Sequence, residues 1–435
     1  MSFRGRVWIL LISGLIGTYA LVGSMPTVGR LLTTQAQQPI NDAGAQLRIV
    51  ESVLQHIQND YVDDPNMEKV RLGALRGLAG GLDPYSSFLT ADQVKEYQSG
   101  KAQGKSGIGA EFSQASGYLY VISVVKGSPA DTAGLKAGDV IEYIDGKATR
   151  DISLYDARGL VAGESGTPVT LRVLRSGEKP QAIKVNRGSY KVPPVESRVE
   201  AGKIGVIKVY SLENGESADI KNQIQNLQKQ GIQKIVLDLR GVAAGTLDEG
   251  VAVANLFIRD GDIAKVVGKD NKVTRSFTAD PSKHVFSGEV AALIDLSTAG
   301  AAEVVASSLL ERKRGEVIGE RSFGAGTEQQ LFTLKSGEGL LLTTSKWASA
   351  SGAPFLGDDR NSTGVKPSIE VKRPDTPEPI EVEEMIDQND QQNREPQTAP
   401  TPAAKPDVKK PAPEDIQLKK ALEVLSGKAQ AAKAG

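Results

Sequence analysis

The sequence predicts a multidomain α/β protein. It should comprise a helical N-terminal cap, a β-rich domain with two short helices, and an α/β core with ββα-type repeats. Three observations predict it. Apolar residues recur at helical spacing over residues 42–60. Short β-type runs broken by Asp-Gly and Ser-Gly turns fill residues 104–187. From Lys203 onward, β-type and α-type segments alternate. The chain of 435 residues has room for two or three domains, and 39% hydrophobic residues supply a core.

The first segment, residues 1–40, places Arg4 and Arg6 before an apolar run from Val7 to about Met25. That pattern reads as a signal anchor, or as a signal peptide, followed by a linker. It puts the remainder in the cell envelope outside the cytoplasmic membrane, either membrane-anchored or periplasmic or secreted. Residues 41–103 form the helical N-terminal domain. Leu47, Val50, Val53, Leu54 and Ile57 make an apolar stripe suited to packing or dimerisation, a second helical stretch runs from Met67 to Leu82, and Asp83-Pro84-Tyr85-Ser86-Ser87 makes a turn.

Residues 104–188 carry β-type runs at Tyr118–Val124, Val140–Ile144 and Val169–Val173. Ser128–Leu135 reads as a short helix closed by Gly134. Residues 189–372 alternate: strands at Gly205–Tyr210, Ile235–Leu239, Val290–Leu296, Val317–Gly319 and Leu340–Trp347, with helices at Glu216–Gln230, Thr246–Ile258 and Ala301–Leu310. Nine of the 21 prolines fall between Pro374 and Pro413, so residues 373–414 read as a disordered linker. Residues 415–435 recover helical spacing from Ile416 to Leu425.

Composition excludes several functions. A net charge of -1 provides no global basic field for nucleic acid. With Cys at 0, disulfides, thiolate zinc sites and a thiol nucleophile are excluded. His56 and His284 are the only histidines, so no multi-histidine metal site is expected within one chain, and no cofactor is implied.

Two resemblances follow from motifs. Ser106-Gly107-Ile108-Gly109-Ala110-Glu111-Phe112, with the later Gly134-Leu135-Lys136-Ala137-Gly138-Asp139 run, resembles a PDZ domain. In such domains a glycine-rich loop offers backbone amides to a peptide's C-terminal carboxylate, whose oxygens only accept, and the peptide adds as a strand. The resemblance assigns peptide binding to Gly107, Ile108, Gly109 and Ala110. More widely, residues 59–371 resemble the C-terminal processing peptidases, or tail-specific proteases. Leu82–Leu89, Leu237-Asp238-Leu239-Arg240-Gly241, Ser322-Phe323-Gly324 and Gly364-Val365-Lys366-Pro367 carry that likeness. Members are serine-type peptidases with a Ser–Lys dyad: a serine at a strand-to-helix turn, a desolvated lysine as base, and a glutamine that assists it.

Laid on this chain without gaps, the resemblance assigns the nucleophile position to Gly300 and the base position to Ala325. Gln329 keeps the glutamine and Glu303 the glutamate. Glycine has no oxygen to attack with, and alanine no amine to accept a proton. The family's Asp-Leu-Arg-Gly-Asn-Pro-Gly-Gly run reads Asp238-Leu239-Arg240-Gly241-Val242-Ala243-Ala244-Gly245 here. The resemblance therefore implies a catalytically degenerate member, a pseudopeptidase that binds C-terminal peptides of other proteins through its PDZ domain. Two alternatives remain: an active endopeptidase with a relocated nucleophile, or a regulatory partner of an active homologue. Ser297 and Thr298 read as helix caps, His284 as a surface residue, and Lys313 and Lys346 as solvated or structural. The implied partners are peptide C-termini and, through the N-terminal anchor, a membrane. A homodimer or a hetero-oligomer with an active homologue stays open, and nucleic acid is not expected.

Overall fold

The computed structural model describes residues 43–100, 106–115, 117–176, 178–213, 215–358, 362–373 and 414–427. The expected anchor and most of the expected Pro-rich linker lie outside these residues. Among the described residues no helix is long and apolar enough to cross a membrane. The chain divides into two compact units, residues 1–74 and 75–435.

The first unit contains α1 (Ala43–Asp60) and the start of α2 (Met67–Gly80). The expected stripe exists on α1, and Leu47, Val50 and Val53 on it are exposed. In the second unit, α3 (Ala91–Ser99) follows the short strand β1 (Ser87–Leu89). Sequence reading passed over α3, a polar helix fixed by a reciprocal cap in which Thr90 and Gln93 each bond the other's backbone amide.

Residues 106–186 build a five-stranded antiparallel sheet ordered β2-β3-β4-β6-β7, with β5 (Lys147–Ala148) beside β4. Its strands are β2 (Ala110–Ala115), β3 (Tyr118–Val124), β4 (Val140–Ile144), β6 (Pro168–Leu174) and β7 (Gln181–Asn186). Two helices, α4 (Pro129–Thr132) and α5 (Leu154–Val161), complete this part, which is the β-rich domain with two short helices that the sequence anticipates. Alternate side chains of β3 point to opposite faces. Leu119 and Val121 enter the domain's own core, while Tyr120 and Ile122 face the other way.

The core sheet is ordered β17-β14-β13-β10-β9-β8, with β8 (Glu196–Glu200) antiparallel to β9 (Ile204–Lys208). β10 (Lys234–Asp238), β13 (Glu289–Ile294), β14 (Gly315–Gly319) and β17 (Ile369–Glu370) continue it in parallel. The central strands β9, β10 and β13 are apolar on both faces because both are covered, while the edge strand β8 is polar and largely exposed. Ile235 and Leu237 face α6 (Glu216–Lys229), α7 (Leu247–Phe257) and α8 (Ala301–Glu311). Val236, Leu293 and Ile318 face α9 (Ile416–Leu425), which docks through Ala421 and Leu425. Arg240 ties α9 to the sheet by a double hydrogen bond to Asp415, at 2.8 Å each, and Lys234 donates to the Leu425 carbonyl at 2.6 Å.

A separate antiparallel sheet, β1-β16-β11-β12 with β15 on β16, was not resolved from sequence. The strand expected at Leu340–Trp347 lies here, as part of β16 (Gly339–Ser349), rather than in the parallel sheet. Its neighbours β11 (Asp262–Val267), β12 (Val273–Thr278) and β15 (Thr327–Thr333) were missed. β12 is almost wholly exposed and polar, so it lacks the alternation that marks a half-buried strand.

Candidate functional site

In open α/β sheets, sites form beyond the carboxyl ends of parallel strands. Three loops meet there in this protein: residues 239–245 after β10, residues 295–300 after β13, and residues 320–326 after β14.

The middle loop is shaped by Asp295. Its Oδ1 accepts from the Ser297 amide at 3.0 Å, the Thr298 hydroxyl at 3.1 Å and the Gly241 amide at 3.0 Å. Its Oδ2 accepts from Arg373 at 2.9 Å. Thr298 also donates to the Leu239 carbonyl and accepts from the Asp295 amide. Thr298 is thus a brace between loops and not the expected cap of α8. The N-cap is Gly300, with φ 57 and ψ -112, in the left-handed range of φ that glycine tolerates best. A sharp strand-to-helix turn is the geometry that exposes a nucleophile when one is present. A Cβ built on Gly300 would stand 3.6 Å from Trp347 and 4.0 Å from the Ala243 carbonyl, ordinary contact distances.

Glu303, fully buried on the first turn of α8, gathers the loops. Its carboxylate accepts from the Gly300 amide at 2.7 Å, the Gly324 amide at 2.8 Å and the Ala325 amide at 2.9 Å, and from the Ser322 hydroxyl. Burial pushes its pKa up to about 7 against the pull of these four donors. The fold therefore brings Gly300 and Ala325, 25 positions apart, onto one carboxylate. Gln329 is drawn elsewhere. Its side-chain amide donates to Thr327 at 2.7 Å and to Thr343 at 3.3 Å, and Thr343 donates to Asp83 of the N-terminal turn at 3.0 Å.

Above these loops lies the outward face of the β2–β7 sheet. Tyr120, Ile122, Val140 and Leu174 pack with Ala299, and Ala243, Phe323 and Ala325 pack against that cluster. The Tyr120 and Phe323 rings stack with centroids 5.8 Å apart and planes at 17°. Gly300 itself is buried.

The other candidates lie apart or are engaged. His284 precedes β13, at the strand end opposite Gly300, and its Nε2 meets the Ser287 hydroxyl at 3.0 Å. Its Nδ1 is buried with no hydrogen-bond partner among the described residues, so no carboxylate orients this pair as a triad requires. Burial and the nearby Arg314 and Arg259 hold its pKa down. Lys346 is paired with Asp358 at 3.7 Å, and Lys313 is in the turn after α8. Among the described residues no group of three or more His, Asp or Glu could hold a metal.

The second candidate site is the loop before β2. Ile108 is buried in the domain core, and its carbonyl accepts from Ala130 at 2.8 Å. The Gly109 carbonyl accepts from Val125 at 2.9 Å and from the Ser128 hydroxyl at 3.1 Å. Gly109 has φ +82, and a Cβ there would lie 2.2 Å from the Ser128 Cβ, so only glycine fits. The loop's carbonyls are thus committed. Among the described residues, the amides of Gly107, Ile108 and Gly109 meet no acceptor.

Comparison with known proteins agrees with this geometry. The description "Peptidase family S41" matches residues 203–371, and "PDZ domain" matches residues 120–175. A probable CtpA-like serine protease of Staphylococcus aureus (strain MRSA252) is 33% identical over 367 residues, covering 83% of this chain and 72% of the relative. This chain belongs to the S41 peptidase family.

Within that family, the carboxy-terminal processing protease CtpA of Bacillus subtilis (strain 168) is 30% identical, covering 74% of this chain and 68% of the relative. Among solved structures, a photosystem II D1 C-terminal processing protease aligns with TM-score 0.61 and 25% identity, over 76% of this chain and 94% of its own. These relatives make the chain a CtpA-like S41 homologue with a PDZ domain, from a family of serine-type peptidases. Sequence reading identified the family and singled out both loops as candidates. It did not foresee the gathering role of Glu303, which carries no signal beyond matching a family position, nor the apolar contact through Phe323.

Proposed function

We propose that this S41 homologue is a pseudopeptidase. It captures the C-termini of other proteins through its PDZ loop and uses the peptidase-like core as a scaffold. The observation that carries the reading is the pair of positions on Glu303. Gly300 and Ala325 meet there through backbone amides alone, with neither a hydroxyl nor an amine to perform acyl transfer. The unpaired amides of Gly107, Ile108 and Gly109 support the binding half. A relocated nucleophile gains little support. The Thr298 hydroxyl is spent on Leu239 and Asp295, and no lysine is hydrogen-bonded to Ser297 or Thr298 among the described residues.

The test is proteolysis of an unstructured substrate with an apolar C-terminus. The natural chain is compared with a Gly300→Ser plus Ala325→Lys variant. No turnover by the natural chain is expected, while calorimetry detects binding of a C-terminal peptide. Turnover that survives stringent purification would overturn the reading.

A second reading, a partner of an active homologue or of another copy, is favoured by one observation, the exposed Leu47, Val50 and Val53 of α1. Co-purification with an active S41 peptidase would support it. The basic and apolar N-terminal sequence supports placement in the cell envelope, which fractionation of cells producing the full chain would check.

A further inference from the structure

A peptide paired with β2 would lie in a groove between β2 and α5, which the contacts at their two ends set antiparallel. At one end Ser106 and Gly163 exchange both backbone hydrogen bonds, at 2.8 and 3.0 Å. At the other end the Gln114 side chain donates to the Ile152 carbonyl at 2.9 Å. Both ends of the groove are therefore bridged by the protein itself.

A strand added to β2 would hydrogen-bond to every second residue of its edge. The Phe112 carbonyl is one such group, because a residue of α5 reaches it: Arg158 donates to it at 3.0 Å. Two residues earlier, the Ala110 carbonyl shares that direction by the period of the strand. Only one register position of the edge thus lies between the unpaired loop amides and the Arg158 bridge. Glu111 stands beside Arg158 at 3.8 Å and helps to hold the guanidinium over the groove.

We propose that this groove reads only the last one or two residues of a C-terminus, and that Arg158 sets that limit. The inference rests on the peptide-binding reading above and narrows its ligand to a terminal carboxylate with a short stub. Residues further from the carboxylate find the second rung of the ladder occupied, so lengthening the ligand adds no backbone pairing. A groove of this kind would accept many different protein ends, since it takes little information from the sequence upstream.

The experiment is a length series on the full chain. N-acetylated peptides of two, four and eight residues share the last two residues, Ala-Ala, and each is also made as the C-terminal amide. The expected result is a Kd that changes less than about threefold from two to eight residues, with binding lost in the amides. In Arg158→Met, which keeps an unbranched stem without donors, the eight-residue acid should gain about tenfold over the two-residue acid, and the two-residue Kd should not move.

An eight-residue acid that binds the natural chain at least tenfold tighter than the two-residue acid would overturn the length limit while leaving C-terminal capture intact. Absence of binding by every acid would overturn both. The natural-chain series is decisive even where Arg158→Met fails to fold.

Discussion

Two loops of this molecule present backbone amides, and they differ in what those amides meet. In the core, the amides of Gly300, Gly324 and Ala325 converge on the internal carboxylate of Glu303. In the PDZ domain, the amides of Gly107, Ile108 and Gly109 meet no acceptor among the described residues. The donor chemistry is the same in both places. In the first loop it has been turned inward to hold the structure together. In the second it meets no internal acceptor among the described residues and is left for the ligand carboxylate that the proposed function assigns to it. Family membership alone would direct attention to the core, whereas the unsatisfied donors direct it to the PDZ loop.

The largest expected effect tests the inward half. An amide in place of Glu303 offers one accepting oxygen to four donors, and its own N–H groups face others. Glu303→Gln should therefore destabilise the chain by about 3 kcal/mol or more, measured by urea unfolding. The natural chain should also show a pH signature. Burial raises the Glu303 pKa from 4.5 in a free carboxyl to about 7. The unfolded chain thus releases this proton first as pH rises. The associated stability is whole below about pH 4.5 and declines until about pH 7, by up to about 3 kcal/mol. Glu303→Gln should remove this slope. If the slope persists in the variant, Glu303 does not titrate as described, and the picture of a buried internal carboxylate with a raised pKa breaks.

Next in size is the apolar contact over the core loops. Tyr120 is buried and stacks on Phe323. Tyr120→Ala should cost about 3 kcal/mol and expose the turn at residues 299–300 and the loop at residues 323–325 to hydrogen exchange. Unchanged exchange at those residues would mean that the PDZ sheet does not protect the core loops in solution.

How much of this was legible in the sequence depends on which physical signal each part leaves. The parallel strands announced themselves because both of their faces are buried, as in β13, whose run from Val290 to Ile294 is wholly apolar. The helices α6 and α7 followed from apolar spacing and from Thr246, whose hydroxyl accepts from the Glu249 amide as an N-cap should. The sheet built on β11, β12 and β16 was opaque. Its outer strand β12 is polar, and its pairings join residues far apart in the chain. At the candidate site, motif spacing singled out Gly300, Ala325 and the 107–110 loop, and the fold sets the first two on Glu303. It could not reveal that Thr298 braces loops instead of capping α8, nor that Gln329 turns toward Thr327 and Thr343. Those outcomes depend partly on Leu239 and Thr343, from other parts of the chain, which spacing within one motif does not encode.

A smaller effect is expected where the core loop has kept room. A side chain at Gly300 meets its nearest neighbour at 3.6 Å, so Gly300→Ser should fold, at a cost of about 1–3 kcal/mol for a non-glycine residue at positive φ. Ala325 differs, because it packs against the apolar cluster of Tyr120 and Ile122. Adding Ala325→Lys places an ammonium in that contact, and its desolvation should depress the lysine pKa or loosen the PDZ sheet. Thermal unfolding of the two variants separates these costs. An equal loss in both would show that Ala325→Lys adds no cost beyond that of Gly300→Ser.

The smallest effect probes the outward half. A Cβ at Gly107 would meet nothing within 4 Å, and Gly107 is absent from the positive-φ positions. Gly107→Ala should therefore change stability by no more than about 0.5 kcal/mol. It should also leave the affinity for a C-terminal peptide within about threefold, because alanine keeps the backbone N–H that the carboxylate needs. Gly109→Ala is the contrasting case, since its Cβ would collide with Ser128 at 2.2 Å and displace the loop. If Gly107→Ala abolished peptide binding while the fold stayed intact, the loop would be reading ligand shape against its surface. Its free amides would then not be the source of recognition, and the contrast with Glu303 would lose its functional meaning.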